Sequence, residues 1–128
     1  MPQLRREGER PLSVTIIASL LIAVGAVGFA YHAMELRGAS GVEYDELLVL
    51  LVRLLAIVGG VYVLRGANWA RWLVIAWMAY HVGLSALHSV SETAIHGVLL
   101  AVIAYVLLRP EASAYFRGAS QRRELPHG

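Results

Sequence analysis

Cysteine and lysine are both absent from the 128 residues. Without cysteine there is no disulfide, no thiolate metal site and no cysteine nucleophile. All eleven basic residues are therefore arginine, and the nine acids leave long gaps, with none between Glu9 and Glu35 or between Glu46 and Glu92. No carboxylate lies in the middle of an apolar run. There is no glycine loop of the kind that cradles phosphate, no nucleophile elbow and no nucleic-acid-binding module, so nucleic acid is not an expected partner.

What fills the chain instead is apolar. Hydrophobic residues make up 58%, above the roughly 45–50% of soluble domains. They cluster into runs suited to bilayer-crossing helices of about 20 residues. Pro11 suits a first helical position, and Leu12 to Ala33 has no charged residue. A cleaved signal peptide is the rival for this run, with Gly28-Phe29-Ala30 as cleavage site. Its length exceeds an ordinary signal core of about 7–15 residues, which favours a retained helix. Glu35 to Glu46 reads as a loop. A second span is expected over 46–64, a third over 69–88 and a fourth over 91–108. Asn68 suits the N-cap of the third, and Ser89 to Glu92 reads as a capping box for the fourth. Residues 1–10 and 110–128 read as polar tails. The expected fold is an all-α integral membrane bundle, four antiparallel transmembrane helices in up-down order within one domain.

Arginine placement orients it. Nine arginines fall in the two tails and the loop between the second and third spans; Arg37 alone falls in the other two loops, with five acids. By the positive-inside pattern both termini are cytoplasmic, and Trp69 and Trp72 stand where an aromatic belt is expected.

Arg53 interrupts the second span. A charge at bilayer depth costs about 2.5–3.5 kcal/mol on insertion scales and calls for a partner inside the protein. Arg53 lies seven residues inward of Glu46 and His81 seven inward of His88, about 10 Å in each case. His32 and Glu35 end the first span, and Glu92 and His96 open the fourth. Glu46, Val49, Arg53, Ala56 and Gly60 share one helical stripe; His81, Ser85 and His88 share another. Gly97, Ala101 and Ala104 read as packing residues. Four such stripes turned inward predict one polar pocket on the extracytoplasmic side. It is built from Arg53, His81, His32, His88, His96, Glu35, Glu46 and Glu92. His81, Glu35 or Glu92 is the expected partner of Arg53.

Other roles for these residues are less specific. His32 and His88 suit interfacial snorkelling, Glu92 a helix start, and the Arg53 and His81 pair a network that fixes helix register. No cofactor is expected. The alternative is a haem- or metal-binding redox protein, with His88, His96, Glu92 and His32 as metal candidates and His81 with His96 as the haem pair.

The passage Val63-Leu64-Arg65-Gly66-Ala67-Asn68-Trp69-Ala70-Arg71-Trp72-Leu73 resembles a turn common in small uncharacterised four-span bacterial membrane proteins. In these a leucine and a glycine precede the Trp-Ala-Arg that opens the third helix. The likeness implies a bacterial inner-membrane location and transfers no site residue. The small multidrug exporters, of similar length and span number, depend on an acid within their first helix, which Leu12 to Ala33 lacks. The functional expectation is a structural, accessory or ligand-binding membrane component without assigned catalysis. Its surroundings are the lipid bilayer and, further, a membrane-protein partner or a second copy of the chain.

Overall fold

The computed structural model describes residues 8–38, 41 and 43–125. Arg5 and Arg6 of the N-terminal tail, and Ser40 of the first loop, lie outside the described residues. Five helices follow in order: α1 (Leu12–Arg37), α2 (Tyr44–Leu64), α3 (Asn68–Ala86), α4 (Val90–Leu108) and α5 (Pro110–Glu124). The protein is all-α, and α1, α2 and α4 are long and apolar enough to cross a membrane.

Local chemistry sets most of the ends. Pro11 is the N-cap of α1 rather than its first helical residue, and α1 continues a turn past Ala33 to Arg37. The predicted loop is thereby shortened. α2 opens two residues early, at Tyr44, on a capping box in which Glu43 and Glu46 each bond the other's backbone N–H. That motif takes up amide protons the first helical turn would otherwise leave unpaired. At its other end α2 stops in a Schellman motif, with Gly66 N–H bonded to Val63 O at 3.0 Å and Ala67 N–H to Tyr62 O at 2.9 Å. Gly66 has φ +77°, the left-handed conformation that glycine reaches without strain. This motif leaves Ala67, not Asn68, as the N-cap of α3. Ser89 caps α4 by accepting from Glu92 N–H at 3.1 Å. Arg109 is extended, as a residue before proline prefers, and Pro110 starts α5.

The segment 110–124, expected as a polar tail, is therefore a helix. Ala112, Tyr115, Phe116 and Ala119 recur at helical spacing and are buried against the bundle. Tyr115 OH donates to the carbonyls of Leu64 (2.5 Å) and Val63 (3.3 Å), Arg10 Nη1 donates to Leu64 O at 2.8 Å, and Arg123 Nη2 to Gly66 O at 3.1 Å. The open carbonyls at the end of α2 are thus satisfied by side chains from α5 and the N-terminal segment.

Contacts pair the helices in opposite directions. Gly60 meets Ala18 and Ile22 while Gly28 meets Arg53, so α1 and α2 run antiparallel at close range. Gly59 against Val74 and Trp77 against Val52 set α2 against α3 in the same way. Arg71 to Leu107 and Ser85 to His96 do so for α3 and α4. α1 and α4 touch only lightly. The main apolar cluster, including Val14, Val63, Val74, Leu107 and Phe116, gathers at the α5 end. Gly97 has nothing within 4 Å of an added Cβ and Ala101 is exposed, so the close packing expected of these two small residues is not made.

Candidate functional site

The eight residues expected to share one pocket form two groups, with Arg53 between them and two outliers, at the end away from α5. The first group lies where α1 meets the start of α2. His32, Glu35, Leu36, Asp45, Glu46 and Val49 line a cleft of about 270 Å³. His32 Nδ1 stands 3.3 Å from Glu35 Oε2, one turn along α1. Three carboxylates and one imidazole thus face one opening, a charge pattern that suits a cation. The extra turn of α1 and the early start of α2 bring His32 opposite Glu46. Asp45 was missed from sequence, although its place in the first turn of α2 was the available signal.

The second group joins α3 to α4. His81 Nδ1 is 2.8 Å from Trp77 O, and His96 Nδ1 is 2.8 Å from both Glu92 O and Ser85 Oγ. Ser85 Oγ in turn donates to His81 O at 2.8 Å. A carbonyl only accepts, so both imidazoles carry their proton on Nδ1, and the proton of Ser85 is already committed. The Nε2 of each ring has no hydrogen-bond partner among the described residues. The two rings lie 6.2 Å apart between centroids with 26° between planes. Ser85, at 5% exposure, is the buried polar residue that ties them. Trp77 was also missed from sequence. Its ring lies against that of His81, 4.1 Å between centroids and tilted by 46°, and its Nε1 donates to Val52 O at 2.9 Å, which holds α2 to α3. The signal was its position one turn before His81.

Arg53 stands between the two groups. Its side chain crosses Gly28, where an added Cβ would come within 2.8 Å of Nε, so α1 has an opening shaped by the absence of a side chain. Arg53 is half-buried and within electrostatic reach of His81. It forms no hydrogen bond or ion pair with any described residue. The expected partners are engaged elsewhere or turned away: Glu35 with His32, His81 with Trp77 O, and Glu92 exposed at the start of α4. The physical reason is reach, because Glu35 sits two turns beyond Gly28 along α1.

The outliers are His88 and Glu92. His88 is exposed, and its ring Nδ1 lies 2.8 Å from Leu84 O, one turn back on its own helix end. Among the described residues no three histidine or carboxylate side chains gather into a metal-binding group, so His32, His88, His96 and Glu92 are not brought together. Three of the four stand on different helices or ends, and His88 to His96 spans the α3–α4 turn.

Fold and site together define an α-helical protein with three helices long and apolar enough to cross a membrane and a divided polar end. Compared with known protein families, curated proteins and solved structures, the chain matches none.

Proposed function

We propose that the chain is a four-span bacterial inner-membrane protein with cytoplasmic termini, acting as a ligand-binding accessory component and not as an enzyme. The observation that carries this reading is the α1–α2 cleft, a preformed concavity lined by Glu35, Asp45, Glu46 and His32 at the mouth of apolar helices. Its ligand is a small polar molecule or ion of positive charge.

Connectivity supports a fourth span. α2 and α4 are both apolar enough to cross, and both finish at the α5 end. α3 links the finish of α2 to the start of α4 and has 19 residues, about 28 Å of helix, so it crosses with them. Its polar side chains are spent internally, on Trp77 to Val52 and on the Ser85 network. Arg65, Arg71, Arg109, Arg117, Arg122 and Arg123 cluster at the α5 end and Glu35, Glu43, Asp45, Glu46 and Glu92 at the other, which supports cytoplasmic termini.

A chain without cysteine allows a clean test. Gly41→Cys and Ser91→Cys should react with an impermeant maleimide on intact spheroplasts, and Asn68→Cys and Gln121→Cys only after lysis. Labelling of Asn68→Cys before lysis overturns the topology. For the cleft, thermal unfolding of solubilised protein should shift upward with millimolar spermidine, and less for Asp45→Asn. Equal responses overturn the ligand site.

A second reading, a haem- or metal-binding redox protein, is favoured by the Nε2 atoms of His81 and His96, without hydrogen-bond partners among the described residues, on facing helices. A Soret band or stoichiometric metal in the purified protein, lost in His81→Ala, decides for it.

A further inference from the structure

We propose that the pocket between the first turn of α3 and the outer face of α5 binds the phosphodiester headgroup of an anionic lipid. It rests on the membrane placement proposed above. The pocket, of about 390 Å³, is lined by Asn68, Arg71, Phe116, Arg117, Ser120 and Gln121. Two guanidiniums and three neutral polar groups thus share one opening, and no carboxylate lines it.

Arg71 is held in place by neutral groups alone. Nη1 donates to Leu107 O at 3.3 Å and to Ser113 Oγ at 3.0 Å, and the guanidinium lies 5.1 Å from the Phe116 ring and 5.6 Å from that of Trp72. Its Nε is buried without a hydrogen-bond partner. None of these contacts cancels the charge, and the first turn of α3 carries no acid. The Arg117 side chain is exposed and makes no hydrogen bond or ion pair with a described residue. Of the other arginines at this end, Arg109 lies 3.6 Å from Glu111, Arg10 donates to Thr15 and Leu64 and Arg123 to Gly66, and none of these, nor Arg65 or Arg122, lines this pocket. Two uncompensated cations lining one pocket repel each other, and an anion between them reverses the sign of the interaction. Phosphate oxygens match the planar donor fork of arginine, and Asn68, Ser120 and Gln121 can complete the set.

The source is the bilayer rather than solution because of what surrounds the pocket. Trp69 and Trp72 are each about half exposed beside it, at the level where indoles meet headgroups. Basic pockets at the cytoplasmic ends of membrane helices are suited to lipid headgroups.

The test uses the full chain in phosphatidylcholine nanodiscs with and without phosphatidylglycerol, and native mass spectrometry of the lipid retained. Short-chain phosphatidylglycerol is then titrated against the solubilised protein. Wild type should retain phosphatidylglycerol over phosphatidylcholine. Arg117→Gln, at an exposed position that does not support the fold, should weaken short-chain lipid binding about fivefold. Arg71→Lys should weaken it also, by losing the fork. Arg65→Gln removes an exposed cation from the same end outside the pocket and should bind as wild type. Equal loss in Arg65→Gln and Arg117→Gln overturns the pocket in favour of diffuse surface charge. Lack of preference between the lipids overturns it outright, and inorganic phosphate stabilising as strongly as the lipid overturns the lipid as occupant. Variants are scored only after passing the cysteine-labelling test, so a failed headgroup result leaves the four-span reading standing.

Discussion

Arg53 shows how one side chain is accommodated by what its neighbour lacks. Gly28 gives the arginine stem a place to lie across α1, yet no described residue accepts from the guanidinium. A charge held half-buried without a counter-ion is a net cost, so Arg53→Met, which keeps a flexible stem over Gly28, should raise stability. The expected gain is about 1–3 kcal/mol in reversible unfolding in mixed micelles. A loss of more than about 1 kcal/mol would mean that the guanidinium holds an anion. The glycines separate just as sharply. A Cβ at Gly60 would come within 2.8 Å of the Ala18 carbonyl, backbone that cannot step aside, whereas one at Gly97 would meet nothing. Gly60→Ala should cost about 1–3 kcal/mol by overpacking. Gly97→Ala should cost nothing and gain up to about 1 kcal/mol from reduced backbone freedom. Equal effects from the two would refute the helix contact assigned to α1 and α2.

Among the elements, the α2–α3 turn and α5 depend on each other. Gly66 takes a left-handed φ, and the Cβ of Ala119 occupies the space a side chain there would need. Tyr115 OH meanwhile satisfies two carbonyls at the end of α2. Tyr115→Phe removes this donor while Gly66 N–H stays on Val63 O and Arg10 Nη1 on Leu64 O, so it should lower stability by about 1 kcal/mol, read from chemical unfolding monitored by circular dichroism. An unchanged unfolding curve would show that water replaces the phenol. α5 was legible in principle: Ala112, Tyr115, Phe116 and Ala119 follow the i, i+3, i+4, i+7 pattern of an amphipathic helix. It was obscured because the surrounding arginines and small polar residues make the segment polar on average, while the apolar stripe is only four residues deep.

For the whole molecule, the buried apolar cluster is lopsided. It concentrates at the α5 end, while the opposite end holds the buried polar Ser85 and the polar cleft between α1 and α2. Ending the chain after Arg109 removes Tyr115 and Phe116 from that cluster. The truncated protein should keep its helices in detergent, by circular dichroism, and lose at least about 5 °C in melting temperature. A melting temperature equal to that of the full chain would show that α5 is attached without supporting the bundle.

The sequence by itself determined that the protein is helical and that its apolar runs suit a membrane; it pointed to four spans, of which the structure shows three as helices apolar enough to cross. Composition and capping chemistry act over one or two turns, so they can be read locally: Ser89 marks a helix start and Gly66 a stop. Only the tertiary structure decided how the faces are turned. It put His32 with Asp45 and Glu46, put His81 with His96 through Ser85, and left Arg53 over Gly28 with none of its expected acceptors. The reason is that helices apolar on nearly every side carry no hydrophobic stripe to fix their rotation. Their facing is set by close fits such as Gly60 on Ala18 and by single hydrogen bonds such as Trp77 to Val52. Those contacts lie between residues far apart in the chain, where no local pattern records them.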